Sequence, residues 1–305
     1  MPTLNTGGLG SFEIPTSQLG PIVEKVQNQS LLASLSPERP TLYGDVQAVR
    51  MTRKPRAQIV AEGAAKASDE AGWEAVTASP IKFQTTVRMS QEVKWIDEDH
   101  RLGVVDNLTA SIGESVARAV DLIGYHGINP ITGSRADSVT TFLNQTTNRA
   151  SAAEDPDAEL TDAVGMVGAS GQYVADGVAL DPRYAFAVAA QRNPETRQLL
   201  NPEVGFGNQG GGQWRGLTLA RSTAVAGQPE ATDTNLRALV GDYSQVRWGF
   251  QRRIPIEVIE YGDPDGGGDL KNVNEIAYRA EGVIYVAIFD LGAFAAVDGA
   301  APAGG

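Results

Sequence analysis

The chain of 305 residues contains no cysteine and only two histidines, His100 and His126. The missing thiols exclude disulfides, thiolate zinc sites, iron–sulfur clusters and cysteine nucleophiles. Two histidines cannot build a three-histidine metal site, and they leave a serine triad little choice of base. No metal or cofactor is therefore expected. No run of about 18 apolar residues occurs, so no segment is expected to span a membrane. Met1–Gly10 has neither a basic flank nor an apolar core, which reads as no secretory signal. Asn28, Asn107 and Asn144 head Asn-x-Ser/Thr triplets that are then chance matches. Basic charge is also short. Lys and Arg number 25 against 37 Asp and Glu, a net charge of −12. A sequence pI near 4.7 argues against non-specific nucleic-acid binding, which needs a basic surface.

What is present is a sizeable core. Hydrophobic residues make up 42 % of the chain and charged residues 20 %, enough for one elaborated domain or two modules. Glycines and prolines from Gly7 to Pro40 break every periodicity in the first 40 residues. One short helix fits at Ile22–Leu35, and the rest reads as an extended arm that orders against another subunit. Val46–Val60 is strand-like but charged, whereas Phe83, Thr85, Val87 and Met89 alternate cleanly on one face. The polar stretch Val60–Ala71 between them has nothing to bury. This predicts a long β-hairpin whose tip projects from its own core.

From Ile96 to His126 the period becomes helical. Val104, Leu108, Ile112, Val116 and Val120 recur every four residues, joined by Val105, Ala119 and Ile123. A helix from Arg101 to Ile123 would be roughly 35 Å long. Gly124 and Gly127 are read as its stop. An α/β section follows, with helices at Leu160–Val174 and after Asp181-Pro182, and strands at Gly177–Leu180 and Leu217–Ala220. Strands then return at Val246–Phe250, Arg253–Tyr261 and Glu275–Ile288.

Four motifs invite chemistry. Gly205–Gly210 has G-x-G-x-x-G spacing, but Asn201-Pro202 before it and Gly211–Trp214 after it are not the strand and helix of a dinucleotide site. Gly262–Asp269 places carboxylates like a calcium loop, but Gly267 and Asn274 stand where ligands are needed, so it reads as a turn. Asp97-Glu98-Asp99-His100 reads as the acidic start of the long helix, favoured by the helix dipole. Arg50, Arg53, Lys54 and Arg56 form the one concentrated positive cluster. It fits either pairing with an acidic neighbour or a strand edge blunted by charge.

Taken in order, these segments resemble the major capsid protein of tailed double-stranded-DNA bacteriophages, the Hong Kong ninety-seven-type capsid fold. The resemblance rests on Val60–Lys66 with its E-G-A-A-K run, the strand Phe83–Met89, and Ser90-Gln91-Glu92 leading into the spine. Tyr125–Gly133 is similar to the family's glycine-rich turn, and Tyr243–Glu260 with Asn274–Val297 to its closing strands, including Arg279-Ala280-Glu281.

The resemblance implies an α+β fold. Its parts would be an N-terminal arm (1–44), an extended hairpin loop (45–90), a peripheral domain with a spine helix (91–150 and 241–298), an axial α/β domain (151–240) and a flexible tail (299–305). It implies a non-enzymatic protein that assembles with itself into hexamers and pentamers of an icosahedral shell around double-stranded DNA, with no sequence-specific contact. That shell would be part of the virion, assembled in the host cytoplasm with a separate scaffolding protein or with none, and with portal and decoration proteins as candidate further partners. The alternative within the fold is an encapsulin-type nanocompartment shell. Inter-subunit contacts are expected at Arg50, Arg53, Lys54, Arg56, Glu62 and Lys66. Some relatives cross-link a hairpin Lys to an Asn, for which Lys66 and Asn272 are the candidates here. The downstream Glu281 is out of the family's register, with Arg279 in its place, so non-covalent shells are expected.

Overall fold

The computed structural model describes residues 30–100, 104–151, 155–205 and 212–299. Helix α1 (Leu31–Leu35) begins at Ser30, whose side chain accepts from the Ala33 amide. Leu31 and Leu32 bury in the subunit's main core. The described helix falls within the expected Ile22–Leu35 span, with Ser30 extended before it, and these residues pack on their own chain. Residues 22–29 lie outside the described residues.

Strands β1 (Val46–Arg53) and β2 (Gly72–Ala78) pair antiparallel as a two-stranded ribbon, with Met51 opposite Trp73. The hairpin's return strand is therefore β2, and not the Phe83–Met89 strand. That segment belongs to β3 (Ile81–Ser90), which joins a three-stranded sheet. The physical reason is its apolar face. Met89 is fully buried and Phe83 packs on the core, whereas β2 has Glu74, Ala75 and Thr77 exposed.

Two helices follow, α2 (Gln91–His100) and α3 (Val104–His126). In α3 the anticipated stripe is the buried one, through Val105, Ile112, Val120 and Ile123. Gly124 does not end the helix. It lies buried within α3, where an added Cβ would sit 3.1 Å from Leu32, so its smallness lets α1 dock. Gly127 is the stop: its φ of +64° is the left-handed conformation that glycine adopts past a helix end.

A small hairpin, β4 (Ile128–Asn129) with β5 (Ser134–Arg135), and β6 (Arg149–Ser151) lead to α4 (Pro156–Gly168). Helix α4 starts four residues before the expected Leu160, because Asp155 caps it and Pro156 occupies the first turn. After β7 (Gly177–Leu180) comes α5 (Pro182–Ala190), capped by Asp181 as anticipated. Strands β8 (Gly212–Trp214), β9 (Leu217–Arg221) and β10 (Leu236–Gly241) complete this section. The expected pair of closing strands is one continuous strand, β11 (Val246–Ile259), bent by register shifts after Phe250 and Ile254. It pairs with β12 (Glu275–Ile288), and β13 (Phe294–Asp298) ends the described chain.

Two main sheets result. One is β11-β12-β3; the other is β6-β13-β10-β7-β9-β8. The second includes β6 and β13, which the expected domain division grouped with the periphery. Its core sits against α4 and α5, and α3 packs beneath the first sheet through Ile112, Met89 and Ile276. The ribbon β1–β2 belongs to neither sheet.

Candidate assembly surface

The ribbon's geometry follows from its register. Residues directly opposite in an antiparallel pair share a face, so Gln47/Thr77, Val49/Ala75 and Met51/Trp73 line one side, and all six are exposed. The other side turns inward at its base, where Val46 and Ala78 meet Tyr285 and Ala287. The outward face carries Val49 at 65 % and Trp73 at 62 % exposure, a large aromatic with no partner in its own core. A burial of either would stabilise whatever covered it by about 1.5–3 kcal/mol.

The positive cluster is largely neutralised within the chain. Arg50 bonds Glu74 and Asp290, at 2.8 and 2.7 Å. Arg53 and Arg56 both reach Asp69 across the ribbon. Lys54 is exposed and has no ion pair among the described residues. These contacts tie the root of the tip together. Glu62 and Lys66 sit exposed in the tip itself. Asn272 lies exposed in a short turn, Leu270–Val273, before β12. Glu281 is engaged by Lys82 at 2.9 Å and lies near Arg279. The single subunit does not bring Lys66, Asn272 and a free carboxylate together.

The loop that resembled a calcium site is occupied by a side chain. Arg88 of β3 donates from Nε to both oxygens of Asp265, at 2.8 and 2.9 Å. Its Nη2 donates to Asp263 and to the Gly268 carbonyl, and Nη1 to Glu275. The guanidinium holds the Asp265 carboxyl below its usual range. The carboxylate spacing was legible in the sequence, but a cation arriving 175 residues away in the chain was not. No group of three metal-ligating residues occurs among the described residues.

Asp97-Glu98-Asp99-His100 form the last turn of α2 and not the start of the long helix, which corrects the helix-dipole reading. Asp97 still reaches the next helix, its Oδ2 accepting from the Val105 amide at 3.0 Å. The side chains of Glu98, Asp99 and His100 lie outside the described residues. His126 is buried, with Nε2 near the Ala224 and Val225 carbonyls and Nδ1 accepting from Asn144. Burial pushes its pKa down, and the neutral ring donates at Nε2. It is a structural pin between α3 and the 223–226 turn. Residues 206–211 of the glycine-rich loop lie outside the described residues, but the chain leaves it as strand β8, not as a helix.

Sequence reading did not find Asp121. This fully buried carboxylate accepts from Ser30 Oγ at 2.6 Å and from the Leu31 and Leu32 amides at 2.8 and 3.0 Å. Burial pushes its pKa up to about 6 despite these three donors. It anchors the point where the arm enters the subunit. A lone Asp inside an apolar helical stripe was the available signal.

A spine, two sheets and a ribbon held outside both cores define a subunit built to be completed by other subunits. The chain belongs to the phage capsid family, whose model matches residues 10–298. It is a major capsid shell protein, a structural component of the virion, and shell formation implies self-association. A solved structure from Mycobacterium phage Ogopogo is 41 % identical, with a TM-score of 0.80, covering 90 % of this chain and 93 % of that one. One from Gordonia phage Cozz is 28 % identical, with a TM-score of 0.78 and coverage of 90 % and 87 %. The capsid of an empty GTA particle computed with C5 symmetry shares the fold at 14 % identity and a TM-score of 0.62, covering 90 % of each chain. These matches do not favour the nanocompartment alternative. No curated protein matches the chain at a significant level.

Proposed function

We propose that the subunit forms hexamers and pentamers of an icosahedral head and that the β1–β2 ribbon is its arm onto the adjacent copy. The observation that carries this reading is the outward ribbon face, with Val49, Met51 and Trp73 all exposed beside an otherwise buried core. On this reading the spine and three-stranded sheet form the periphery of each capsomer. The six-stranded sheet with α4 and α5 forms the part nearest its centre. Residues Lys54, Glu62 and Lys66 at the tip make polar contacts to the neighbour, while Arg50, Arg53 and Arg56 stiffen the ribbon from within.

The protein carries out no catalysis, and its shells are non-covalent. Lys66 stands among exposed small and polar residues, and deprotonating it for attack on Asn272 would need an apolar pocket and a carboxylate base. Assembly takes place in the host cytoplasm with a separate scaffolding protein, and portal and decoration proteins complete the head. The acidic chain encloses double-stranded DNA without sequence-specific contacts. The test is Trp73→Ser. It should give a folded, soluble subunit that fails to form closed shells by electron microscopy. Closed shells of normal diameter would refute the ribbon's role.

A further inference from the structure

The β1–β2 ribbon is carried by few contacts. At its base Val46 and Ala78 pack on Tyr285 and Ala287 of β12. Further out, Arg50 stands opposite Glu74, and beyond that pair Thr52 and Arg53 are exposed. Arg50 is the outermost ribbon residue bonded to the body, its Nη1 donating to Oδ2 of Asp290 at 2.7 Å. Among the described residues no other hydrogen bond or ion pair ties the ribbon strands to the rest of the subunit.

Asp290 is a fixed point. It caps the turn Leu291–Ala293, where its Oδ1 accepts from the Gly292 amide at 2.8 Å. Its Oδ2 also accepts from the Tyr173 hydroxyl at 2.7 Å, and the Tyr173 ring, in the segment after α4, packs against both main cores. Arg50 has a second carboxylate of its own. Its Nε donates to Glu74 Oε2 at 2.9 Å, and Glu74 lies on β2, so it travels with the ribbon. The Arg50–Asp290 bond can therefore open without stranding a charge: Arg50 keeps Glu74, and Asp290 keeps Tyr173 and Gly292. The two side chains are 27 % and 31 % exposed, so water reaches both as they part. An ion pair so placed is weak.

We propose that Arg50 and Asp290 form a releasable clamp that sets the ribbon's angle to the subunit, with the ribbon base at Val46 and Ala78 as the hinge. The use of such a clamp rests on the reading of the ribbon as an arm onto the adjacent copy. Neighbours stand about 60° apart in a ring of six and about 72° apart in a ring of five, so one arm must serve two angles.

The absence of cysteine lets labels be placed at will. Met51→Cys on the ribbon and Ser244→Cys in an exposed turn of the body carry nitroxide spin labels in the full-length, unassembled subunit. Pulsed electron resonance then reads the distances between them. With the clamp intact the distribution should be narrow. Arg50→Gln should widen it at least twofold, and so should Asp290→Asn, whose oxygen can still cap Gly292 while its amide nitrogen faces Arg50. Glu74→Gln should leave it narrow, because Glu74 rides with the ribbon. A width unchanged by either Arg50→Gln or Asp290→Asn overturns the clamp. Widening by Glu74→Gln as large as that by Arg50→Gln also overturns it, since the ribbon would then have frayed within itself. Amide hydrogen exchange in β12 should match the parent in every variant; faster exchange there places the change in the body and counts against the hinge. Shell formation by Trp73→Ser decides separately whether the ribbon is an arm, and either result there leaves these distances unaffected.

Discussion

The β1–β2 ribbon and the α3 spine are both regular, and both carry apolar side chains on one face, yet they meet opposite fates. Along α3 the face through Val105, Ile112, Val120 and Ile123 is buried in the subunit. In the ribbon only Ala48 and Ala78 are buried, and Val49, Met51 and Trp73 face outward. The spine supports its own subunit's fold, while the ribbon's apolar surface has no cover among the described residues. Regular backbone hydrogen bonding is therefore no guide to where an element's stability resides. What separates the two is whether the apolar face has a partner in the same chain.

The contrast can be broken most severely at Ile112. Ile112→Asp puts an unpaired charge at a residue 2 % exposed and should cost several kcal/mol. The expected outcome is insoluble or unassembled protein; a soluble variant with an unchanged melting temperature would mean the buried face has been misassigned.

Arg88 offers an intermediate case. Arg88→Ala would leave Asp263, Asp265 and Glu275 facing one another without their cation and should cost roughly 1–3 kcal/mol. Limited proteolysis within residues 262–269 should accelerate, while cleavage in the tip at residues 62–70 stays as in the parent.

Asp121 sharpens the comparison through pH. Its folded pKa near 6 lies above that of an exposed Asp, so the ionised form weighs against the fold. Its contribution is then fully present below about pH 4 and is lost as pH rises through about 6, an effect of order 3 kcal/mol. Melting temperatures across this window should show that slope in the parent, and Asp121→Asn should abolish it. A slope that persists in Asp121→Asn would assign it to other groups.

At the small end stand changes in the ribbon and its tip. Deleting Glu62–Ala71 should shift subunit stability by no more than about 1 kcal/mol, because it removes only the solvent-screened ion pairs of Asp69 with Arg53 and Arg56 and no core contact, yet closed shells should not form. Lys66→Ala should change nothing on a denaturing gel. Particles of parent and variant, boiled in detergent, should each release a single band near 32.2 kDa. A ladder of multimers in the parent that vanishes in Lys66→Ala would establish the cross-link.

Legibility followed the locality of the cause. The α3 stripe, the Asp181 cap, β7 and the exposed tip were all readable, because period, capping chemistry and polarity act over a few residues. The pairing of the hairpin was misread, since Phe83–Met89 alternates more cleanly than Gly72–Ala78. Only the presence of β12 decides that the cleaner strand leaves the ribbon. Gly124 looked like a helix stop, because the sequence does not reveal that α1 would press Leu32 against it. Of the candidate assembly residues, the tip's exposure was foreseen. The internal pairing of Arg50 with Asp290 was not, as it depends on a residue 240 positions away.

By itself, then, the sequence determined the kinds of elements, their order, the lack of any thiol or histidine-rich chemistry, and the acidic balance. These depend on side-chain type and short-range spacing, which folding cannot alter. The tertiary structure alone decided which strands pair, which carboxylates receive a cation and which apolar faces remain uncovered. Each of these depends on surfaces meeting across distances in the chain that no local pattern encodes. Arg88 enters the loop at Asp265, and Asp121 gathers Ser30, Leu31 and Leu32, only because the sheet and the spine bring them within hydrogen-bond reach.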